Sequence, residues 1–139
     1  MFEARQGKEI ILRETNRVGL LSGIAKVIAE KGISILAVSG SVHGEECYIH
    51  MITDDNLRAC DVLSALGLKP VEQGVILVEV AHKPGMLKRL GEVLAADEID
   101  IHHVYATAME EQEKCLLVLR TSNDEHALPW LNKTLGRGV

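Results

Sequence analysis

The sequence predicts an α+β protein built from two βαββαβ modules, each an antiparallel sheet with helices on one face. Three observations lead there. The 139 residues suffice for one ordinary domain or two small ones. The chain aligns with itself once, at a shift of 66 residues. Each half then carries the same order of apolar patterns: a strand-like run, a helical stripe, two strand-like runs and a second helix.

At the shift of 66, Gly19 meets Gly85, Leu21 meets Leu87, Val27 meets Val93 and Ala29 meets Ala95. Ile33, Ile35 and Val38 then meet Ile99, Ile101 and Val104. Two extra residues in the second half move the shift to 68, so that Cys47 meets Cys115, Thr53 meets Thr121 and Ala59 meets Ala127. A single duplication implies two similar modules, residues 8–73 and 74–139, because a solenoid needs at least three stacked repeats.

Ile10–Leu12 and Val75–Val80 read as the opening strands. A loop ending in glycine follows each, Asn16-Arg17-Val18-Gly19 or His82-Lys83-Pro84-Gly85. Leu20, Leu21, Ile24, Val27 and Ile28 then form one stripe of a helix, repeated by Met86, Leu87, Leu90, Val93 and Leu94. Lys31-Gly32 suits the first helix end, whereas the acids Asp97-Glu98 oppose the dipole at the second. Ile33–Val42 with Cys47–Thr53, and Ile99–Thr107 with Cys115–Thr121, read as hairpins. Their tips are His43–Glu46 and the acidic Met109–Lys114.

Asp54-Asp55 or Asn56 caps the next helix, which is expected to carry Leu57, Cys60, Leu63 and Leu66 inward. Ser122-Asn123-Asp124 caps its counterpart, with Leu128, Trp130, Leu131 and Leu135 inward and Pro129 expected near the first turn. Leu68–Gln73 reads as a last strand, at an edge because of Pro70. The arrangement is ferredoxin-like. Only Gly136–Val139 follow Leu135, so the second module's closing strand is short or missing. The N-terminal tail Phe2–Gln6 or a partner chain is needed to cover that edge, and a homodimer is the expected assembly.

Composition narrows the function. A net charge of −5 opposes general nucleic-acid binding, and 3% aromatics leave little to stack on bases. No apolar run approaches the ~20 residues of a membrane span. The charged start does not resemble a signal peptide. Cys47, Cys60 and Cys115 form no CxxC and no zinc-finger spacing, and read as reduced, mostly buried thiols of a cytoplasmic protein.

The strand–loop–glycine–helix junction is the most informative pattern. The first amides of a helix lack partners within it and carry the positive end of its dipole. Glycine there lets a ligand approach the backbone, and a carboxylate suits the site. Asn16 and His82 stand at equivalent places, either as helix caps or as ligand contacts.

These motifs resemble the ACT domain. The second copy reads Val75-Ile-Leu-Val-Glu-Val-Ala-His-Lys-Pro-Gly-Met-Leu and then Glu98-Ile99-Asp100-Ile101. The first reads Glu9-Ile-Ile-Leu-Arg-Glu-Thr-Asn-Arg-Val-Gly-Leu-Leu and then Lys31-Gly32-Ile33-Ser34-Ile35. The resemblance covers about residues 8–136 and is nearest in type to small stand-alone tandem ACT proteins. It implies a non-enzymatic regulatory protein that binds a small molecule, most often an amino acid, where ACT modules meet. The implied contacts are Asn16, Arg17, Val18, Gly19, Leu20 and Leu21 in one copy, and His82, Lys83, Pro84, Gly85, Met86 and Leu87 in the other. From the second strands come Ile35, Val38, Ile101 and Val104. Asn16 and His82 stand where the family often has Asp, and Val18 where the second copy has Pro84. ACT pairs also serve as regulatory subunits of amino-acid biosynthetic enzymes, which makes an enzyme partner the alternative.

Other constellations are weaker. His102 and His103 are neighbours on a strand and face opposite ways, as do Cys47 and His50, so neither set is read as a metal site. Tyr48 and Tyr105 read as half-buried packing, and Glu110–Glu113 as a solvated loop. There is no G-x-S-x-G, no P-loop and no HExxH, so no catalytic residue and no cofactor is expected. An enzyme would need perturbed groups around His82, His102 and His103.

Overall fold

Alternating apolar residues and two helical stripes per half give ten elements in a computed structural model that describes residues 2–107 and 113–136. In chain order they are β1 (Phe2–Thr15), α1 (Leu20–Glu30), β2 (Ile35–His43), β3 (Glu46–Thr53), α2 (Asn56–Ala65), β4 (Val71–Ala81), α3 (Met86–Ala96), β5 (Ile101–Thr107), β6 (Lys114–Thr121) and α4 (Asp124–Leu135). The fold is α+β, with antiparallel strands in the ferredoxin-like manner.

The chain divides into two compact units, Lys8–Gln73 and Met1–Gly7 with Gly74–Val139. In the first, the strands lie in the order β2-β3-β1-β4; in the other, β5-β6-β4-β1. Both place the second strand of the module at one edge, the hairpin partner next, and the opening strand third. At this boundary the strand itself is not broken at Gly74. Leu68–Gln73 and Val75–Val80 were anticipated as separate strands, yet Val71–Ala81 is one, with Pro70 just before it.

The N-terminal tail covers the edge of the second unit. Phe2 and Ala4 are buried in that unit's core with Ile76, Val78, Leu90 and Leu119. Asn132 of α4 fastens the tail: its Oδ1 accepts from Ala4 N at 3.0 Å and its Nδ2 donates to Ala4 O at 2.8 Å. Arg5 pairs with Glu79 at 3.1 Å.

The first unit's core is Ile10 and Leu12 of β1, Ile24 and Ile28 of α1, Ile49 and Met51 of β3, and Ala59 and Leu63 of α2. Ile10, Leu12, Ile49 and Met51 alternate along their strands, which puts them on the face the helices cover. Here α2 departs from expectation. Leu63 and Ala59 are its buried anchors, while Leu57 and Leu66 stand outward at 71% and 52% exposure. Spacings of three and four are both helical, and only packing decides which stripe faces inward.

The duplication extends to individual hydrogen bonds. Thr53 N and Oγ1 donate to Asn56 Oδ1, and Thr121 N and Oγ1 donate to Asp124 Oδ1. Asp55 caps α2 by accepting from Arg58 N, and Asn123 caps α4 by accepting from His126 N. Pro129 is the sixth residue of α4, well past the first turn where it was expected, so it removes one intrahelical bond to Glu125. No helix of the described residues is long and apolar enough to cross a membrane.

Candidate functional site

In both units the chain leaves the opening strand, makes a short loop and enters a helix through glycine. Gly19 and Gly85 have φ of 83° and 88°, the left-handed region that glycine enters freely. Neither α1 nor α3 receives a side-chain cap. Asn16 and His82 are therefore not helix caps, and among the described residues no side chain accepts from the helix-start amides beyond the glycine. A main-chain bond pins each loop to the tip of the neighbouring hairpin: Asn16 N donates to Glu45 O at 2.7 Å, and His82 N to Glu113 O at 2.8 Å.

Against each loop lies a pocket. In the first unit it has a volume of about 500 Å³ and is lined by Asn16, Arg17, Gly19, Leu20, Leu21 and Ser22, then Gly40, Ser41 and Val42 of β2, and Cys47 and Ile49 of β3. In the second it has a volume of about 310 Å³ and is lined by Val80, Ala81, His82, Lys83, Met86 and Leu87, then Val104, Tyr105 and Ala106 of β5, and Cys115 and Leu117 of β6. Asn16/His82, Arg17/Lys83, Leu20/Met86, Leu21/Leu87, Gly40/Ala106, Cys47/Cys115 and Ile49/Leu117 are repeat-equivalent. The two pockets are thus copies of one feature. Among the described residues, neither Arg17 nor Lys83 has an ion-pair partner.

Ten of the sixteen candidate residues line these pockets: Asn16, Arg17, Gly19, Leu20, Leu21, His82, Lys83, Met86, Leu87 and Val104. Six do not. Val18 projects fully into solvent, and Pro84 and Gly85 are exposed beside the second pocket without lining it. Ile35 and Ile101 pack against the cores of their units. Val38 is 43% exposed on β2, away from the pocket wall. A side chain at Gly85 would meet open space, so its cost is backbone strain alone, about 1–2 kcal/mol.

Sequence reasoning missed the far wall, formed by Gly40, Ser41 and Val42 with Cys47, and by Tyr105 and Ala106 with Cys115. The cysteines match in the self-alignment, but a free cysteine is most often a small core residue and carries no local mark of a pocket wall. Cys47 is buried, whereas Cys115 is half-buried, and burial pushes its thiol pKa up. Cys60 lies outside both pockets; burial first, then Glu72, pushes its thiol up as well.

His43, His50, His102 and His103 line neither pocket. His43 meets Tyr48 edge-on with ring centroids 5.7 Å apart, and the Arg13 guanidinium lies 5.6 Å from the Tyr48 ring centroid. His50 Nδ1 is 3.1 Å from Glu9 Oε1, a fully buried carboxylate. His102 lies 3.7 Å from Asp100, and His103 tilts against Tyr105 at 5.2 Å between ring centroids. Of the expected acidic hairpin tip, Met109–Gln112 fall outside the described residues.

No family model matches this sequence, and no curated protein matches it. Solved structures share its fold. Protein BT0572 from Bacteroides thetaiotaomicron superposes with a TM-score of 0.86 at 20% identity, over 95% of this chain and 90% of that one. The regulatory subunit of aspartate kinase from Thermus thermophilus, in its ligand-free form, gives 0.65 at 14% identity over 94% and 95%. Aspartokinase III from E. coli, in complex with aspartate and ADP, gives 0.60 at 15% identity over 98% of this chain and 33% of that one.

Proposed function

We propose that this chain is a tandem ACT protein, with ACT-like modules at residues 8–73 and 74–139, that binds a small carboxylate-bearing ligand, an amino acid foremost, and acts by regulation without catalysis. The ligand's carboxylate meets the helix-start amides beside Gly19 or Gly85, with Arg17 or Lys83 adding charge. A module of a second copy closes the site, and the ligand tightens that pairing by its higher affinity for the paired state. The site is assigned to the ten lining candidates, with Pro84 and Gly85 setting the loop beside it, while Val18, Ile35, Val38 and Ile101 stand outside both linings. The proposed setting is the cytoplasm, and the proposed assembly a homodimer.

The observation that carries this reading is the recurrence of one pocket at repeat-equivalent residues, each beside a helix start without a side-chain cap and a cation without an ion-pair partner among the described residues. A fold shared with a regulatory subunit of aspartate kinase supports the regulatory role. Calorimetry and thermal shift against each of the twenty amino acids test it. At least one is expected to bind, and the double variant Arg17→Glu, Lys83→Glu is expected to weaken it tenfold or more. No heat and no shift with any of the twenty overturns the reading. Co-purification with an enzyme whose activity the protein changes would make it a subunit of that enzyme.

A further inference from the structure

We infer that the two repeat-equivalent pockets have diverged in ligand class, the second unit's pocket taking an amino acid with an apolar side chain and the first unit's a polar one. The inference rests on the proposed function above and names the ligand of each site.

The walls carry the argument. In the second unit the loop supplies Lys83 and the His82 imidazole, and the rest of the lining is aliphatic, chiefly Val80, Met86, Val104 and Leu117, apart from Tyr105 of β5 and the Cys115 thiol of β6. That thiol stays protonated at neutral pH because burial raises its pKa, so it adds no charge to the wall. The loop thus meets an acid, and the strand wall offers mainly apolar contact, with the Tyr105 phenol as its one hydroxyl. A hydroxyl or carboxylate pressed against the aliphatic part of this wall loses water without gaining a hydrogen bond, which weakens binding roughly ten- to a hundredfold. A methylene pressed against it strengthens binding about fourfold.

The first unit's pocket departs at equivalent places. Gly40 replaces Ala106, Ser41 stands beside it, and Ser22 and Asn16 add a hydroxyl and an amide. The pocket is also the larger, at about 500 Å³ against about 310 Å³. More space and more hydrogen-bonding groups suit a ligand that keeps polar atoms, and some water, at that end.

A homologous ligand series tests this on the intact chain. Alanine, 2-aminobutyrate, norvaline and norleucine are titrated by calorimetry. Alkylation of Cys115 by iodoacetamide, read by mass spectrometry of its peptide, reports the second unit's pocket. Serine and aspartate serve as polar probes. The expected result is affinity rising about fourfold per methylene, with Cys115 protected by the longer members and not by serine or aspartate. Val104→Ser, a partly exposed position, is expected to flatten the rise without unfolding the chain. A flat series, or Cys115 protected equally by serine or aspartate, overturns the divergence while leaving the sensor reading intact. Absence of heat with every one of the twenty amino acids removes the sensor reading itself.

Discussion

Gly32 and Glu98 occupy the same left-handed position, one residue past the C-caps of α1 and α3, with φ of 71° and 57°. Both ends close alike. Gly32 N donates to Ala29 O at 2.9 Å and Ile33 N to Ile28 O at 3.2 Å; Glu98 N donates to Ala95 O at 3.0 Å and Ile99 N to Leu94 O at 2.9 Å. Glycine holds this geometry without strain, whereas Glu98 carries a Cβ into a crowded region. Glu98→Gly is therefore expected to stabilise the protein by about 0.5–1 kcal/mol, after the larger unfolded-state entropy of glycine is subtracted. Gly32→Ala is expected to destabilise by about 1 kcal/mol. Urea denaturation of both variants measures the difference.

The tail strand depends on one side chain. Asn132→Ala removes both bonds to Ala4, 128 residues away in sequence, and is expected to cost about 1–3 kcal/mol. Amide exchange should accelerate first across Phe2–Gly7. Unchanged protection there would show that the tail is held by other contacts.

The helix caps of α2 and α4 are independent tests of the duplication. Asp55→Ala and Asn123→Ala each delete one acceptor for a helix-start amide, from Arg58 and His126 respectively. Each is expected to lower stability by about 1 kcal/mol. The two share no partner, so the double variant should lose the sum in thermal denaturation.

Cys115 should report its surroundings through pH. Burial favours the neutral thiol, so its alkylation rate should rise with a midpoint above the ordinary value of 9.0. Below that midpoint the thiol form dominates and labelling is slow. A midpoint at or below 9.0 would mean that the pocket wall is wetter than its lining residues imply.

The helical stripes of α1 and α3, both hairpins, the capping residues of α2 and α4 and the glycine helix entries were legible because each depends on neighbours within a few residues. The loop half of each pocket was legible for the same reason. Leu57 and Leu66 were misplaced because their spacing is as helical as that of Ala59 and Leu63. The far pocket walls escaped because Gly40, Ser41, Tyr105 and Ala106 carry no local mark of a binding surface.

Residue order alone was enough to establish a duplicated α+β chain with two glycine-led helix entries, since turn chemistry and periodicity act over short spans. Folding in three dimensions settled which strand closes the second unit. That choice joins Ala4 to Asn132 by hydrogen bonds and buries Phe2 in the core that holds Leu90, interactions between distant segments that leave no periodic trace in either.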